Sequence, residues 1–362
     1  MKLFQIIFST VFIFISSGCS NNKSEVINNK KQGLIGLSLL LKQNSQQGLQ
    51  GVLESVNEVT SLGINLFGMS PEWTDLESSP NTFSFQDQIV NPLTLTDPDK
   101  TKFKSYILVL KMIDSNRKIL PEDIASLSFD NPLTINRFKS LIDNLSTLPS
   151  LKRVSHILIG NEVDGYLSSN PAALNAFLTF YQEAINEIHS KIPFVKVGTI
   201  LTFSSVVNNP TIFNALAPPS DFICYTYYPT NEASPNWQML PPSNTIADIN
   251  LMAQKSGNKP FAITEIGYPS SVENNSSEIL QEQFVENMFN ALSTYKDNGK
   301  LDFIFYHGLY DYPTGFCNQY AQSQNIDPTY LCGFMNNLGL KSYETGVPKA
   351  SYQTFIDKLA TW

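Results

Sequence analysis

The sequence predicts an α/β protein built as a (β/α)8 TIM barrel, and three observations favour this fold. Apolar, β-rich runs recur eight times, amphipathic segments separate them, and the alternation extends over about 330 of the 362 residues. The runs are continuously apolar rather than alternating, which is typical of strands covered on both faces. The eight runs are residues 33–41, 64–70, 106–113, 156–160, 195–202, 221–228, 261–265 and 303–308.

The segments between the runs have the periodicity of helices. Asn170-Pro171 is typical of a helix start, because proline is favoured at the first helical position. Apolar residues then follow at spacings of three or four, up to Ile188. A second such segment lies between Glu278 and Lys296. A doubly wound open sheet is the alternative fold, but the sequence has neither a Gly-x-Gly-x-x-Gly motif nor a phosphate-binding loop.

Residues 1–18 are expected to be a signal peptide rather than part of the fold. The apolar run 3–15 is too short to span a bilayer and has the length of a signal-peptide core. It ends in Ser-Ser-Gly-Cys, which resembles the lipobox of bacterial lipoproteins, although Ser16 stands where leucine is usual. The resemblance implies that Cys19 is lipidated. An ordinary secretory signal cleaved nearby is the alternative.

The rest of the chain is then expected to form two parts. Residues 19–32 are polar and read as a flexible lipidated tether, and residues 33–362 form the barrel domain. The lipid implies a membrane as partner and a position in the bacterial cell envelope. Ser20 follows the cysteine where aspartate would favour retention in the inner membrane, so the outer membrane is the expected location.

Charge and cysteine usage exclude some classes of function. The net charge of -8, with no basic aromatic patch, argues against nucleic acid as a partner. No Cys-x-x-Cys motif or histidine cluster indicates a metal site. Cys224 lies in an apolar run and reads as a small buried hydrophobe. Cys317 and Cys332 flank a polar loop, and in a secreted chain they are candidates for a disulfide worth about 3 kcal/mol.

Two carboxylates end predicted strands. The dipeptide Asn-Glu occurs four times, but only Asn161-Glu162 follows a strand-like run. Glu265 ends the seventh run in the same way. Active sites of such barrels lie at the C-terminal ends of the strands, so both side chains are expected at one mouth. Two carboxyl groups facing each other are what glycoside hydrolysis needs, one protonated to donate to the leaving oxygen and one ionised to attack the anomeric carbon.

The stretches "ILIGNE" (157–162) and "FAITEIGYP" (261–269) resemble clan A of the glycoside hydrolases, which are retaining (β/α)8-barrel enzymes. This resemblance implies that Glu162 is the acid/base and that Glu265 is the nucleophile. Asn161 would hold the substrate hydroxyl next to the anomeric centre. The expected carboxyl separation is about 5–5.5 Å, and neither a metal nor an organic cofactor is implied.

The resemblance extends to aromatic residues at the mouth. Clan members often place a tyrosine at the end of strand six, where it bonds the nucleophile; Tyr228 fits, with Tyr227 as the alternative. Trp73, after strand two, is expected to stack on a sugar or to cover the barrel rim. His307, and with it Tyr306, stands where many members end strand eight with tryptophan. Either tyrosine of strand six could instead only pack the barrel.

Other details leave the individual family open. The arginine near strand two and the histidine near strand three of many clan members are missing, while "YYPT" (227–230) has some likeness to endo-galactanases. The sequence thus predicts a monomeric retaining glycosidase that cleaves β-glycosidic bonds of a poly- or oligosaccharide. A non-catalytic glycan-binding lipoprotein on the same barrel is the alternative, although such a protein has no need of two facing acids. The aromatic residues expected to line the cleft are Trp73, Tyr228, Trp237, Tyr268 and Tyr310.

Overall fold

A computed structural model describes residues 33–39, 43, 49–99, 101–231, 237–324 and 328–362. The predicted signal peptide, Cys19 and the tether 19–32 lie outside the described residues. Within the described part, no helix is both long and apolar enough to cross a membrane.

The prediction of a (β/α)8 barrel is confirmed. Parallel pairing runs β1-β8-β7-β6-β5 in one sheet and β2-β3-β4-β5 in the other, and the two sheets share the interrupted strand β5. The strands are β1 Leu34–Leu37, β2 Leu66–Met69, β3 Ser105–Asp114, β4 Val154–Asn161, β5 Lys196–Gly198 with Ile200–Thr202, β6 Ile223–Tyr227, β7 Phe261–Ile266 and β8 Leu301–Tyr306. Short antiparallel strands also occur at Glu77–Ser79, Thr82–Phe83 and Arg117–Lys118.

Asn65 closes the barrel between β1 and β2. Its side-chain oxygen accepts from Ile35 N at 2.9 Å, and its Nδ2 donates to Gly33 O at 2.9 Å. Its backbone N–H donates to Ile35 O at 3.1 Å. Asn65 is 1% exposed, so these bonds satisfy polar groups that would otherwise be buried without partners.

The interior of the barrel is filled by side chains from alternate strand positions, as a closed parallel barrel requires. The Phe305 ring fits there because Gly36 and Gly68 have no side chain: a Cβ on Gly36 would lie 2.0 Å from the ring. Cys224 is fully buried in this layer, in agreement with its interpretation as a small hydrophobe. The buried interior residues are Leu66, Ile107, Val109, Leu158, Ile200, Phe222, Cys224, Ala262 and Phe303.

Helices cover the outside of the barrel and bury their apolar stripes against it. Asn131 and Ser277 cap α4 and α10 by accepting backbone N–H groups with their side chains. The helix predicted from Asn170 begins with a 3₁₀ turn and then becomes α6. The α-helices are α1 Leu49–Ser61, α2 Trp73–Leu76, α3 Asn91–Leu95, α4 Pro132–Ser146, α5 Val163–Ser169, α6 Leu174–Lys191, α7 Phe203–Asn208, α8 Pro210–Leu216, α9 Asn244–Lys255, α10 Glu278–Asp297, α11 Thr314–Gln324, α12 Pro328–Met335 and α13 Ala350–Leu359.

A charged cluster closes the N-terminal end of the barrel. Lys196 Nζ contacts both carboxylate oxygens of Asp302 at 2.8 Å. His156 Nε2 lies 3.3 Å from Asp302 Oδ2, and its ring packs edge-on against Phe222 and Phe303. His156 and Lys196 oppose the effect of burial and lower the pKa of Asp302. This end of the barrel is therefore held by paired opposite charges.

The connection after β8 carries two helices that are tied together. A disulfide with an S–S distance of 2.04 Å joins Cys317 of α11 to Cys332 of α12. The two Cα atoms are 5.4 Å apart, and Cys317 is fully buried against Ala321 and Leu331. We call α11 and α12 together the helical hairpin.

Candidate active site

The C-terminal ends of the strands open into a cavity of about 720 Å³. This volume lies in the range that holds small ligands. Glu162, Thr226, Glu265 and His307 line it from strands β4, β6, β7 and β8. The two glutamates that the sequence singled out therefore face the same cavity.

Glu162 follows the last residue of β4 in a left-handed backbone conformation, with φ 45° and ψ 47°. Such a conformation is uncommon for a residue other than glycine and frequent at functional sites. Ser115 Oγ donates to Glu162 Oε2 at 2.8 Å, and Thr226 Oγ1 donates to Glu162 Oε1 at 2.8 Å. Both carboxyl oxygens are thus held in place by hydroxyl groups.

Glu265 lies near the end of β7, opposite Thr226 in the register of β6 and β7. Tyr228 OH donates to Glu265 Oε2 at 2.9 Å. The neighbouring Tyr227 points to the helix layer instead, where its hydroxyl donates to Asp248 Oδ2 at 2.7 Å. Of the two tyrosines considered from the sequence, Tyr228 is the one that bonds to Glu265.

Burial raises the pKa values of both carboxyl groups, and their neighbours modify the two values differently. Burial, with the nearby charge of Glu265, raises the pKa of Glu162 to about 8. Burial also raises the pKa of Glu265 to about 7, and the hydrogen bond from Tyr228 opposes that rise. Two acids that repel each other in one cavity favour a state in which they share a single proton. The arrangement favours Glu162 as the protonated partner.

Asn161 lies beside the carboxylates and is oriented by Asp114. Asn161 Nδ2 donates to Asp114 Oδ1 at 3.1 Å. Asp114 also pairs with Lys111 at 3.3 Å and with Arg117 at 3.0 Å. Burial by itself would raise the pKa of Asp114. Lys111 and the hydrogen bond from Asn161 outweigh this effect, so the pKa of Asp114 is lowered overall. The ionised Asp114 fixes the amide group of Asn161 by accepting from its Nδ2. The amide oxygen of Asn161 can then accept a hydrogen bond from another donor.

His307 directly follows β8 and lines the cavity. Its Nδ1 is 3.8 Å from Glu265 Oε2, its Nε2 bonds Tyr312 OH, and its peptide bond to Gly308 is cis. Burial lowers the pKa of His307 to about 4, so the imidazole is neutral near pH 7. A neutral ring can donate or accept a hydrogen bond but does not form an ion pair with Glu265.

Trp73 was expected to stack on a sugar in the cleft or to cover the barrel rim, and the first of these expectations is wrong, because Trp73 does not line the cavity. The side chain is 1% exposed, and its ring packs edge-on against Phe138 with centroids 5.4 Å apart. Its Nε1 donates to Glu77 Oε2 at 2.8 Å, and Arg137 pairs with the same buried carboxylate. The indole therefore packs between barrel and helices, because the buried Glu77 satisfies its only polar group.

Three further aromatic residues were also placed wrongly. Tyr268 is buried and donates to Leu240 O at 2.9 Å, while Tyr310 is buried and donates to Glu58 at 2.9 Å. Neither belongs to the residues that line the cavity, whereas Trp237 does. Tyr306 likewise is fully buried and packs on Phe355.

Sequence reasoning missed several residues that act on the two glutamates. Thr226 shares a strand face with Tyr228, so alternation along β6 could have identified it. Asp114 ends β3 and could have been found by its position. Ser115 is 47 residues away from Glu162 in sequence and carried no signal. Within the described residues, no group of three His, Cys, Asp or Glu side chains could hold a metal ion.

Comparison with known proteins identifies the fold. No protein-family model matches the chain, and no curated protein is similar enough in sequence to match it. A GH5_18 protein from Bifidobacterium longum subsp. infantis has a TM-score of 0.67 at 12% identity, over 91% of this chain and 79% of that chain. A GH53 catalytic domain from Ignisphaera aggregans has a TM-score of 0.56 at 16% identity, over 90% and 94%.

An exo-β-1,4-mannosidase from Opitutaceae bacterium strain TAV5 also has a TM-score of 0.67, at 15% identity. The match covers 93% of this chain and 62% of the mannosidase, so the chain spans less than two thirds of that protein's length. At these identities the similarity establishes a glycosidase-like barrel, and activity has to be argued from the site.

Proposed function

We propose that this protein is a retaining glycoside hydrolase of clan A that cleaves β-glycosidic bonds by double displacement. The observation that carries the proposal is the pair Glu162 and Glu265, which face one cavity from the ends of β4 and β7 and both have raised pKa values. Their different partners support different roles, since two carboxyl groups can act as acid and nucleophile only if their environments separate their pKa values.

In the first step the Glu265 carboxylate attacks the anomeric carbon while the bond from that carbon to the leaving oxygen breaks. Glu162 transfers its proton to the leaving oxygen, which departs as a neutral alcohol. In the second step Glu162 accepts a proton from a water molecule, which attacks the anomeric carbon and releases Glu265 as a carboxylate. Tyr228 would stabilise the ionised nucleophile, and Asn161 would hold the adjacent sugar hydroxyl.

The substrate is a poly- or oligosaccharide, and β-mannosides and β-galactans are the first to test. Two of the similar structures are described in complex with Manβ1-4GlcNAc, and another is called an exo-β-1,4-mannosidase. The likeness of residues 227–230 to endo-galactanases supports the second choice.

The enzyme is proposed to act as a monomeric lipoprotein of the bacterial cell envelope. Cys19 would carry the lipid, residues 19–32 would form the tether, and residues 33–362 the catalytic domain. A radiolabelled palmitate would be incorporated by the wild type and not by the variant Cys19→Ala. Labelling of both proteins would contradict the anchor without affecting the proposed chemistry.

The function is tested by measuring reducing-sugar release from mannans, galactans, glucans and xylans by residues 24–362 and by the variant Glu265→Gln. We expect the variant to lose about 10⁴-fold or more in kcat, because it lacks the carboxylate that would form the covalent intermediate. A 2-deoxy-2-fluoro glycoside of the active sugar should add one glycosyl mass to Glu265 in the wild type. NMR should show the β-anomer as the first product.

Three results would contradict the proposal. They are an inverted product, an active Glu265→Gln variant, or no hydrolysis of any glycan. Clear binding of a glycan without hydrolysis would instead identify a non-catalytic glycan-binding protein on the same barrel.

A further inference from the structure

Two side chains approach the same carboxyl oxygen of Glu265. Tyr228 OH donates to Oε2 at 2.9 Å, and His307 Nδ1 lies 3.8 Å from that oxygen. Tyr228 directly follows β6 and His307 directly follows β8, the two strands that pair with β7 on either side. Oε2 is thus enclosed by groups from both neighbouring strands, and neither of these contacts involves Oε1.

The position of one proton decides what His307 offers to Glu265. Burial lowers the pKa of His307 to about 4, so the ring is neutral near pH 7 and carries a single N–H. A proton on Nδ1 gives Glu265 Oε2 a hydrogen-bond donor. A proton on Nε2 instead turns the lone pair of Nδ1 towards a carboxylate, which is repulsive. The hydrogen bond made by the other ring nitrogen selects between the two tautomers.

Tyr312 makes that hydrogen bond. Its hydroxyl is bonded to His307 Nε2, and the two ring centroids lie 5.6 Å apart at an interplanar angle of 23°. Burial raises the pKa of Tyr312, so the hydroxyl keeps its proton. Because Nδ1 faces a carboxylate, the arrangement with favourable contacts on both sides has Tyr312 donating to Nε2 and the imidazole proton on Nδ1.

The helical hairpin holds Tyr312 in place. Tyr312 N donates to Met335 O of α12 at 3.2 Å, and the Tyr312 ring stacks on Phe316 of α11 with centroids 5.4 Å apart. The disulfide joins these two helices. The hydroxyl therefore reaches His307 from a support that lies outside the barrel strands.

His307 is itself held close to β7. Its backbone N–H donates to Ile266 O at 2.9 Å, and the Tyr228 ring packs edge-on against the imidazole with centroids 6.3 Å apart. Nδ1 has to move by less than about 1 Å to form a full hydrogen bond with Glu265 Oε2. Hydrogen bonds of catalytic groups are often long in the free enzyme and shorten when substrate binds. The distance of 3.8 Å therefore suits a donor that engages during the reaction.

We propose that Tyr312 is a positioning residue for the nucleophile and acts through His307: its hydroxyl donates to Nε2, which places the imidazole proton on Nδ1 and aims it at Glu265 Oε2. The inference rests on the proposed function and deepens it, because it assigns the attacking atom. With Oε2 bonded by Tyr228 and His307, Oε1 forms the bond to the anomeric carbon. Oε2 then becomes the carbonyl oxygen of the glycosyl ester and still accepts both hydrogen bonds.

The tautomer is tested by NMR of the protein labelled with ¹⁵N-histidine at pH 7. The chain has three histidines, so the signals of His307 are assigned by their loss in His307→Asn. The wild type should show a protonated Nδ1 and an unprotonated Nε2. Tyr312→Phe should raise the fraction protonated at Nε2 about 5-fold, the value of one hydrogen bond. A wild-type ring protonated at Nε2, or at both nitrogens, would overturn the proposal.

Two substitutions of His307 test which nitrogen matters for catalysis. The amide nitrogen of asparagine is two bonds from Cβ, as Nδ1 is, whereas that of glutamine is three bonds from Cβ, as Nε2 is. The variant His307→Asn can therefore still donate to Glu265 Oε2. Its kcat should exceed that of His307→Gln about 10-fold, the value of a hydrogen bond to a charged group. Equal or reversed values of kcat would contradict the assignment of Nδ1 as the donor.

A double-mutant cycle separates positioning from a general structural role. Tyr312→Phe should lower kcat about 5-fold and leave KM within about 2-fold of the wild type. In the His307→Asn background there is no tautomer to select, so the same change should lower kcat less than about 2-fold. Losses that simply add would show that Tyr312 does not act through His307.

Tyr310→Phe is the matched control for Tyr312→Phe. Tyr310 lies two residues earlier in the same connection, and its hydroxyl also donates to a side chain, Glu58, at 2.9 Å. It does not belong to the residues that line the cavity. The loss of its hydroxyl should lower stability and leave both kcat and the ¹⁵N signals of His307 unchanged. Equal effects of the two variants would overturn the role of Tyr312.

The failure of this inference can be told from the failure of the proposed function. In an active enzyme, an unchanged His307 spectrum in Tyr312→Phe would overturn the positioning role alone. If the wild type hydrolyses nothing, the proposed function fails, and the spectrum still decides whether Tyr312 sets the tautomer. If Tyr312→Phe does not fold, the wild-type spectrum and the comparison of His307→Asn with His307→Gln decide instead.

Discussion

The two ends of the barrel both hold partly buried acids, but the surroundings of these acids shift their pKa values in opposite directions. At the N-terminal end Asp302 is paired with Lys196 and His156, which lower its pKa against the effect of burial. At the C-terminal end Glu162 and Glu265 receive hydrogen bonds from hydroxyl groups, and burial raises the pKa of both, helped at Glu162 by the charge of Glu265. At the N-terminal end the charge of Asp302 is paired with basic side chains. At the C-terminal end the two glutamates are bonded by hydroxyl groups instead.

This difference separates stability from function. A buried acid that is paired with a cation remains ionised and contributes to folding at neutral pH. A buried acid without such a partner costs stability when ionised, and it keeps a pKa near the pH at which it must exchange protons. The ionised glutamates at the mouth lower the free energy of unfolding. The opposite end of the barrel and its packed interior stabilise the fold and offset this loss.

The largest effect is expected for Glu162→Gln, which removes the proton donor at the mouth. Hydrolysis of an unactivated oligosaccharide should fall about 10³-fold, since general acid catalysis typically contributes 10²–10⁴-fold. A 2,4-dinitrophenyl glycoside needs little protonation of its leaving group, so its first step should be affected much less. Steady-state kinetics on both substrates measure this, and equal losses would show that Glu162 is not the acid.

The same variant should be more stable than the wild type at alkaline pH. The pKa of Glu162 is about 8 in the folded chain, above its value of about 4.3 when unfolded. The folded state is therefore penalised progressively as the pH rises from about 4 to 8, and Glu162→Gln should recover about 1 kcal/mol or more above pH 8. Urea unfolding at pH 5 and pH 8.5 measures the gain, which should be smaller at pH 5.

A smaller effect is expected for Tyr228→Phe, which removes the hydrogen bond to Glu265 and keeps the ring. The bond lowers the pKa of Glu265, so without it the acid limb of the kcat/KM profile should move to higher pH. Activity at the acid side of the optimum should fall about 10-fold, the value of one hydrogen bond to a charged group. Profiles from pH 4 to 9 measure the shift.

Tyr225→Phe is the matched control for this change. Tyr225 also lies on β6, but its hydroxyl donates to Met252 O at 3.1 Å in the helix layer. Its loss should affect stability and leave the acid limb in place. An identical shift in both variants would mean that Tyr228 does not act through its bond to Glu265.

The strands and their catalytic ends could be predicted from the sequence because they depend on local patterns. A parallel strand is recognised by its continuous apolar run, and Glu162 and Glu265 stand directly where two runs end. The helix starting near Asn170 was predicted for similar reasons, although its first turn is 3₁₀. Position along the chain was sufficient for these features.

The remainder of the site depends on contacts between distant segments, which sequence patterns do not contain. Ser115, which donates to Glu162, is 47 residues away from it in sequence. Glu77 bonds Trp73 and is paired with Arg137, which is 60 residues further along the chain. Whether an aromatic ring turns into the helix layer, as Trp73 does, or towards the cavity, as Tyr320 does, is decided by such contacts.

The smallest effect on activity is expected for Asp302→Asn, at the opposite end of the barrel. The change leaves Lys196 and His156 without their anion and should cost about 1–2 kcal/mol of stability at pH 7. Because the folded pKa of Asp302 lies below its unfolded value, its contribution is present above pH 4 and is lost as the pH falls through the folded pKa.

Urea unfolding at pH 7 and pH 3 should therefore show a large difference between wild type and Asp302→Asn at pH 7 and a small one at pH 3. Turnover per folded molecule should stay at the wild-type level, because Asp302 lies at the barrel end away from the cavity. A loss of turnover comparable to that of Tyr228→Phe would show that the charges of the two ends are coupled through the barrel.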